Sequence, residues 1–159
     1  MRRLALFVLL AACQDEPGRG GTEQTSPAER GTEGPERVTY DHILIGFKGS
    51  YERVPSFRTR EEARRLAFDI LDRIRSGGNF EALKEEYSDD RSPESGEALG
   101  PYVAVNDGVK RTRLEEIPRR NFYPVLRHLI FKLKVHDVAV ADWHAEACPD
   151  GWHIVKRLE

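Results

Sequence analysis

Hydrophobic and polar positions fall into three regimes along the chain, and each predicts a different physical state. From Leu4 to Ala12 every side chain is apolar, in an unbroken run without period. From Gln14 to Arg37 the only aliphatic side chain is Ala28, set among Pro17, Pro27, Pro35 and scattered Gly, Glu, Thr and Arg. Such a stretch buries too little to offset the entropy of ordering and is expected to be disordered. Regular patterning begins at Val38. Val38 to Gly46 carries the β-branched and aromatic residues of a strand, with Tyr40, His42 and Leu44 on one face and Ile43 and Ile45 on the other. Thr59-Arg60-Glu61-Glu62 has the form of a capping box, and Ala63, Leu66, Ala67, Ile70, Leu71 and Ile74 follow at helical spacing. Gly77-Gly78 stops that helix, and Asn79 caps a second one through Phe80, Leu83 and Tyr87. Ser88 to Gly100 is aperiodic and rich in Asp, Ser, Pro and Gly, which reads as a loop. A short strand is predicted from Tyr102 to Val105, then an ill-defined polar, basic insertion from Asn106 to Arg120. A helix over Phe122 to Leu133 accommodates Pro124 in its first turn, and strands Val138 to Trp143 and Trp152 to Lys156 flank a turn at Pro149-Asp150-Gly151. This order of elements predicts an α+β domain with an antiparallel sheet.

The first regime gains meaning from its neighbours. Arg2 and Arg3 precede the apolar run, which makes residues 1–12 an export signal. The run is far shorter than the roughly 20 residues a membrane-spanning helix needs. Its end, Leu10-Ala11-Ala12-Cys13, resembles the bacterial lipobox, in which the cysteine takes a diacylglycerol and becomes the mature N-terminus. That resemblance implies lipidation of Cys13, a disordered tether over 13–37, and a folded domain over 38–159. It also implies an exported protein anchored to a membrane by lipid, on the periplasmic or cell-envelope face. A flexible spacer of about 24 residues has a root-mean-square span of about 25–30 Å, enough to hold the domain clear of a bilayer.

Composition narrows the remaining classes. The 159 residues, 39% hydrophobic and 33% charged, suit one soluble globular domain, and a formal charge of −2 supplies no electrostatic pull toward nucleic acid. With Cys13 acylated, Cys148 has no partner for a disulfide. His136, His144, Cys148 and His153 are close in sequence, but only His144-x3-Cys148 approaches the paired spacing of a zinc site, so no metal is expected.

Six further pieces occur in a telling order: His42-Ile43-Leu44-Ile45, Arg58-Thr59-Arg60-Glu61-Glu62-Ala63, Phe80-Glu81-Ala82-Leu83 leading to Tyr87-Ser88-Asp89-Asp90, Leu99-Gly100, Phe131-Lys132-Leu133-Lys134, and Gly151-Trp152-His153-Ile154-Val155. Together they resemble the parvulin-type peptidyl-prolyl cis/trans isomerases over nearly all of Val38 to Glu159. The resemblance implies an antiparallel sheet surrounded by about four helices. It implies a site built on His42 and His153, with Asp90 at a loop position often Cys or Asp, and Cys148 where a hydroxyl residue is common. Leu99, Phe122, Leu126 and Phe131 correspond to the proline slot. The expected substrates are unfolded or proline-containing polypeptides, handled by a monomer without cofactor. The reaction needs none, since it rotates an amide past a barrier of about 18–20 kcal/mol without breaking a bond. The competing reading is a parvulin-fold chaperone or peptide-binding module with little turnover, in which the two histidines only brace the sheet. Three departures bear on that choice. Glu97 and Ala98 stand where the family has Gly and Asp, His136 occupies a turn position usually Gly, and the 106–120 segment is longer than usual.

Overall fold

The computed structural model describes residues 34–50 and 57–159. The signal-like run, Cys13 and the tether up to residue 33 lie outside the described residues. Strand β1 (Arg37–Ile45) is the centre of a five-stranded sheet. Helices α1 (Arg60–Arg75) and α2 (Phe80–Tyr87) follow, then β2 (Tyr102–Val105), β3 (Ile117–Pro118), helix α3 (Pro124–Lys132), β4 (Val138–Ala141) and β5 (Trp152–Arg157). The strands lie in the order β3-β2-β1-β5-β4.

Strand alternation divides β1 between two cores. Ile43 and Ile45 join Trp152 and Ile154 of β5 beneath α1 and α2, where Ala63, Ala67, Ile70, Leu71, Phe80 and Leu83 close the layer. Val38 and Tyr40 join Ala104 and Val155 on the opposite face, covered by Leu126, Ile130 and Phe131 of α3. Helix α1 starts where the capping box predicts. Glu62 N donates to Thr59 Oγ1 at 3.2 Å, and Thr59 N donates to Glu62 Oε2 at 2.8 Å. Asn79 caps α2 by accepting from Ala82 N. Pro124 is the first residue of α3, so the helix begins two residues after the expected Phe122, where its missing N–H costs nothing.

Two expectations need adjustment. The sheet is mixed, because β3 pairs in parallel with β2 through Ala104 with Ile117 and Val105 with Pro118. The 106–120 segment is also ordered, organised around one buried carboxylate. Glu116 is 4% exposed. It accepts from Thr112 N, Thr112 Oγ1, Arg113 N and Arg37 Nε. Those bonds, the Thr112 backbone N–H foremost, hold its pKa down to about 2. The helical complement among the described residues is three α-helices and a 3-10 turn at Arg119–Asn121.

A second buried charge sits at the sheet's centre. Asp41 is 1% exposed and accepts from Lys84 Nζ of α2 at 2.6 Å and from His42 N at 2.8 Å. Gly100 packs so closely on Asp41 that a Cβ would overlap its carboxylate oxygen. At the far end of the sheet, Gly151 lies against the Ile45 carbonyl with the same lack of room.

His136 adopts φ 70°, the only non-glycine residue at positive φ among those described. It is exposed, and its N–H is bonded to Arg157 O at 2.9 Å. A left-handed residue with a Cβ costs about 1–2 kcal/mol, against about 0.5–1 kcal/mol of extra chain entropy lost by glycine. His136→Gly is therefore expected to raise the unfolding free energy by about 0.5–1 kcal/mol, seen as a higher urea midpoint at unchanged slope.

Candidate active site

The site is assembled where the 88–100 loop is laced to β1. Leu44 N donates to Ser88 Oγ at 3.2 Å, Asp89 N donates to Leu44 O at 2.8 Å, and Gly46 N donates to Asp89 Oδ2 at 2.8 Å. Arg58 Nη1 binds that same Asp89 oxygen at 2.6 Å. These bonds deliver the next residue, Asp90, to the face of β1 that carries His42. Asp90 Oδ2 lies 2.9 Å from His42 Nε2 and accepts from the Tyr102 hydroxyl at 2.8 Å.

His153 reaches the same place from β5. In the β1–β5 ladder His42 is opposite Val155 and His153 opposite Leu44, so the two histidines are diagonal neighbours on one face. Their rings lie 5.0 Å apart, and the two Nδ1 atoms are 3.4 Å apart.

Hydrogen-bond roles follow from the carboxylate at one end. Burial works against ionisation of Asp90, yet the hydrogen bonds from His42 and Tyr102 hold its pKa below the usual range. An ionised carboxylate only accepts, so His42 Nε2 carries a proton. With both rings neutral, His42 Nδ1 is then the acceptor and His153 Nδ1 the donor. That leaves His153 Nε2 as a bare lone pair, buried and without a partner among the described residues. Burial foremost, and then the neighbouring His42, push the His153 pKa down to about 3.

The remaining expected residues divide. Leu99, 37% exposed, sits on the turn whose N–H bonds Asp90 O at 2.9 Å. Phe122 is half-buried and stands edge-on to Tyr40 at 5.9 Å. Leu126 and Phe131 are core residues, 5% and 3% exposed, and the Arg119 guanidinium covers the Phe131 ring at 4.7 Å. Cys148 is fully buried; its Sγ lies 3.7 Å from Gly151 O, and burial pushes the thiol up to about 12. It stays a thiol and points its hydrogen bond at the backbone. His144 is occupied locally, its Nδ1 accepting from Glu146 N and Ala147 N.

Sequence reasoning missed Tyr102 and Tyr40. Tyr102 stacks on Tyr40 at 5.7 Å and leans on His42 at 5.5 Å, which extends the ring series from Phe122 to His153. An aromatic residue directly after Leu99-Gly100-Pro101 was the available signal, but only the pairing of Tyr40 with Tyr102 shows where its hydroxyl ends. Asp150 was missed too. Burial and the charge of Asp90 raise its pKa, while a hydrogen bond from Tyr123 opposes the rise.

With this geometry in place, the family follows from a match of residues 27–159 to the model of the PPIC-type PPIASE domain. The chain belongs to the parvulin family. Two solved structures share the fold of this parvulin domain. Peptidyl-prolyl isomerase ESS1 from Candida albicans superposes with a TM-score of 0.54 at 23% identity, covering 78% of this chain and 63% of that one. The solution structure of TbPIN1 superposes with a TM-score of 0.51 at 25% identity, covering 78% of this chain and 98% of that one. This chain thus spans a little under two thirds of the length of ESS1. No curated protein sequence matches it. The parvulin assignment makes the imidazole pair part of a peptidyl-prolyl cis/trans isomerase domain.

The neutrality of His153 has a thermodynamic signature. The unfolded chain protonates this residue near pH 6.5, whereas the folded chain resists until about 3. Between those values the unfolded state binds more protons, so stability falls as pH falls, by at most about 1.4 kcal/mol per pH unit for one group. His153→Asn removes this titration. Urea midpoints measured from about pH 7 to about pH 5, above the main carboxylate range, should fall less steeply in the variant than in the wild type.

Proposed function

We propose that this parvulin domain accelerates cis/trans interconversion of X-Pro bonds in exported polypeptides while tethered to a membrane through a lipid on Cys13. The observation that carries the isomerase reading is the chain of hydrogen bonds Asp90–His42–His153, set beside the partly exposed apolar residues Leu99 and Phe122. The planar amide owes its barrier to a charge-separated resonance form that water stabilises. Apolar groups packed on the prolyl ring remove that water and favour the twisted amide by comparison. A rigid polar array then selects the twisted geometry, because its groups are already oriented and need no reorganisation. No proton has to leave. His153 is neutral across the physiological range, and Asp90 keeps His42 in one tautomer. The support for tethering is the run Arg2 to Cys13 with its lipobox-like end. X-Pro bonds of newly exported chains isomerise over tens of seconds, slowly enough to limit folding.

A protease-coupled assay on short X-Pro peptides tests the catalytic half. Wild type should accelerate isomerisation, and His42→Ala should reduce kcat/KM about tenfold or more, the scale of one lost hydrogen bond to a charged group. His42→Asn should keep more activity than His42→Ala, and the rate should be nearly flat from about pH 5.5 to about pH 8.5. A wild-type protein that binds unfolded chains yet leaves the isomerisation rate unchanged would establish the binding-module reading instead.

The tether has its own test. Cys13→Ser should move the protein from the detergent phase to the aqueous phase in phase partitioning, and aqueous partitioning of the wild type would exclude lipidation.

A further inference from the structure

Asp90 is held by groups of different kinds. Its backbone carbonyl accepts from Leu99 N, its N–H bonds Ser88 Oγ at 3.3 Å, and its Oδ2 receives both His42 and Tyr102. Among the described residues, only the Tyr102 bond joins that side chain to a neighbouring strand other than the one bearing His42. Tyr102 is itself well fixed. Its backbone is paired with Tyr40 across the β1–β2 ladder, and its ring is stacked on Tyr40 at an interplanar angle of 27°. The hydroxyl therefore enters the site from a rigid support, whereas Asp90 comes from a loop.

We propose that Tyr102 is a positioning residue of this site, whose hydroxyl clamps the Asp90 carboxylate against His42 and so fixes the tautomer of the imidazole pair. The inference rests on the isomerase reading for its kinetic consequence but not for its structural one. Without the clamp, the carboxylate is free to rotate about its terminal torsion, a broad and soft coordinate. His42 Nε2–H then loses its permanent acceptor, and the order of donors and acceptors through His153 is no longer imposed from one end. Burial foremost, then the bond to Asp90, pushes the Tyr102 pKa far above its ordinary value, so the hydroxyl remains a donor at every pH of interest. The ring performs a second task that is separable from the first. It fills the space between Tyr40 and His42, and this packing needs no oxygen.

The test compares Tyr102→Phe, which removes only the hydroxyl, with Tyr102→Leu, which removes the ring as well. If the hydroxyl positions Asp90, Tyr102→Phe lowers kcat/KM about tenfold on an X-Pro peptide, mainly through kcat. Nitrogen-15 NMR of the histidines then shows a single Nε2–H tautomer for His42 in wild type and a mixture in Tyr102→Phe. The double variant Tyr102→Phe/Asp90→Ala loses no more activity than Asp90→Ala alone, because both changes break one linkage. An unchanged tautomer and unchanged kinetics in Tyr102→Phe, with losses confined to Tyr102→Leu, would reduce Tyr102 to a packing residue and overturn the proposal. Strictly additive losses in the double variant would overturn it too. Should the wild type fail to catalyse, the isomerase reading falls, while the tautomer comparison still decides the role of Tyr102.

Discussion

The buried carboxylate of Asp41 is the constraint on which the rest of the molecule depends. A charge with 1% exposure persists only where donors replace the lost water, and here Lys84 Nζ and His42 N do so at 2.6 and 2.8 Å. The pair ties the central strand to α2, and through α2 it sets where the 88–100 loop begins. The return of that loop is tied to the same point, because Gly100, at φ 112°, packs on the Asp41 carboxylate. Three elements thus converge on one side chain, and the residue next to it is His42. Loss of Lys84 alone would leave an uncompensated buried anion at this junction, a defect worth several kcal/mol.

The chemistry on the other face of β1 is a by-product of strand geometry. Period-two alternation sends Asp41 toward the helices and His42 toward the α3 face, where diagonal pairing supplies His153. The site therefore needs no special backbone in the strands that carry the imidazoles. What it needs is a carboxylate to give the pair a direction, and that comes from a loop sewn to the strand by Ser88 and Asp89. The ionised end stays where water and Tyr102 meet it, and the neutral end lies deepest. This gradient of burial lets two adjacent imidazoles share a cavity without repulsion.

Local signals in the sequence were sufficient for features with local causes. The Thr59–Glu62 capping box, the Asn79 cap and the strand limits of β2 all follow from spacing within a few residues, whereas the diagonal placement of His42 and His153 depends on the register of two strands far apart in the chain. His136 takes the left-handed turn that its glycine-like position implied. The features that escaped depend on distant partners. Strand β3 is a pairing with distant β2, and it follows Glu116, whose donors include Arg37, 79 residues earlier. Apolar side chains at helical spacing do not reveal their neighbours, and Leu126 and Phe131 pack with Val38, Tyr40 and Val155 of distant strands. Glu97 and Ala98 lie outside the positive-φ region, which in this loop is taken by Gly96 and Gly100.

Gly151 shows how finely the two imidazoles are spaced. It faces the Ile45 carbonyl at the open end of the β1–β5 ladder, two residues before His153 and with no room for one more carbon atom. The distance between the strands at that end is therefore metered by the absence of a methyl group. A side chain introduced there pushes β5 off β1, and the 3.4 Å contact between imidazoles lies within the reach of that wedge. The hydrophobic layers farther along the strands would still hold the domain together. In a library of variants scored twice, this position would pass a screen for expression and fail a screen for turnover.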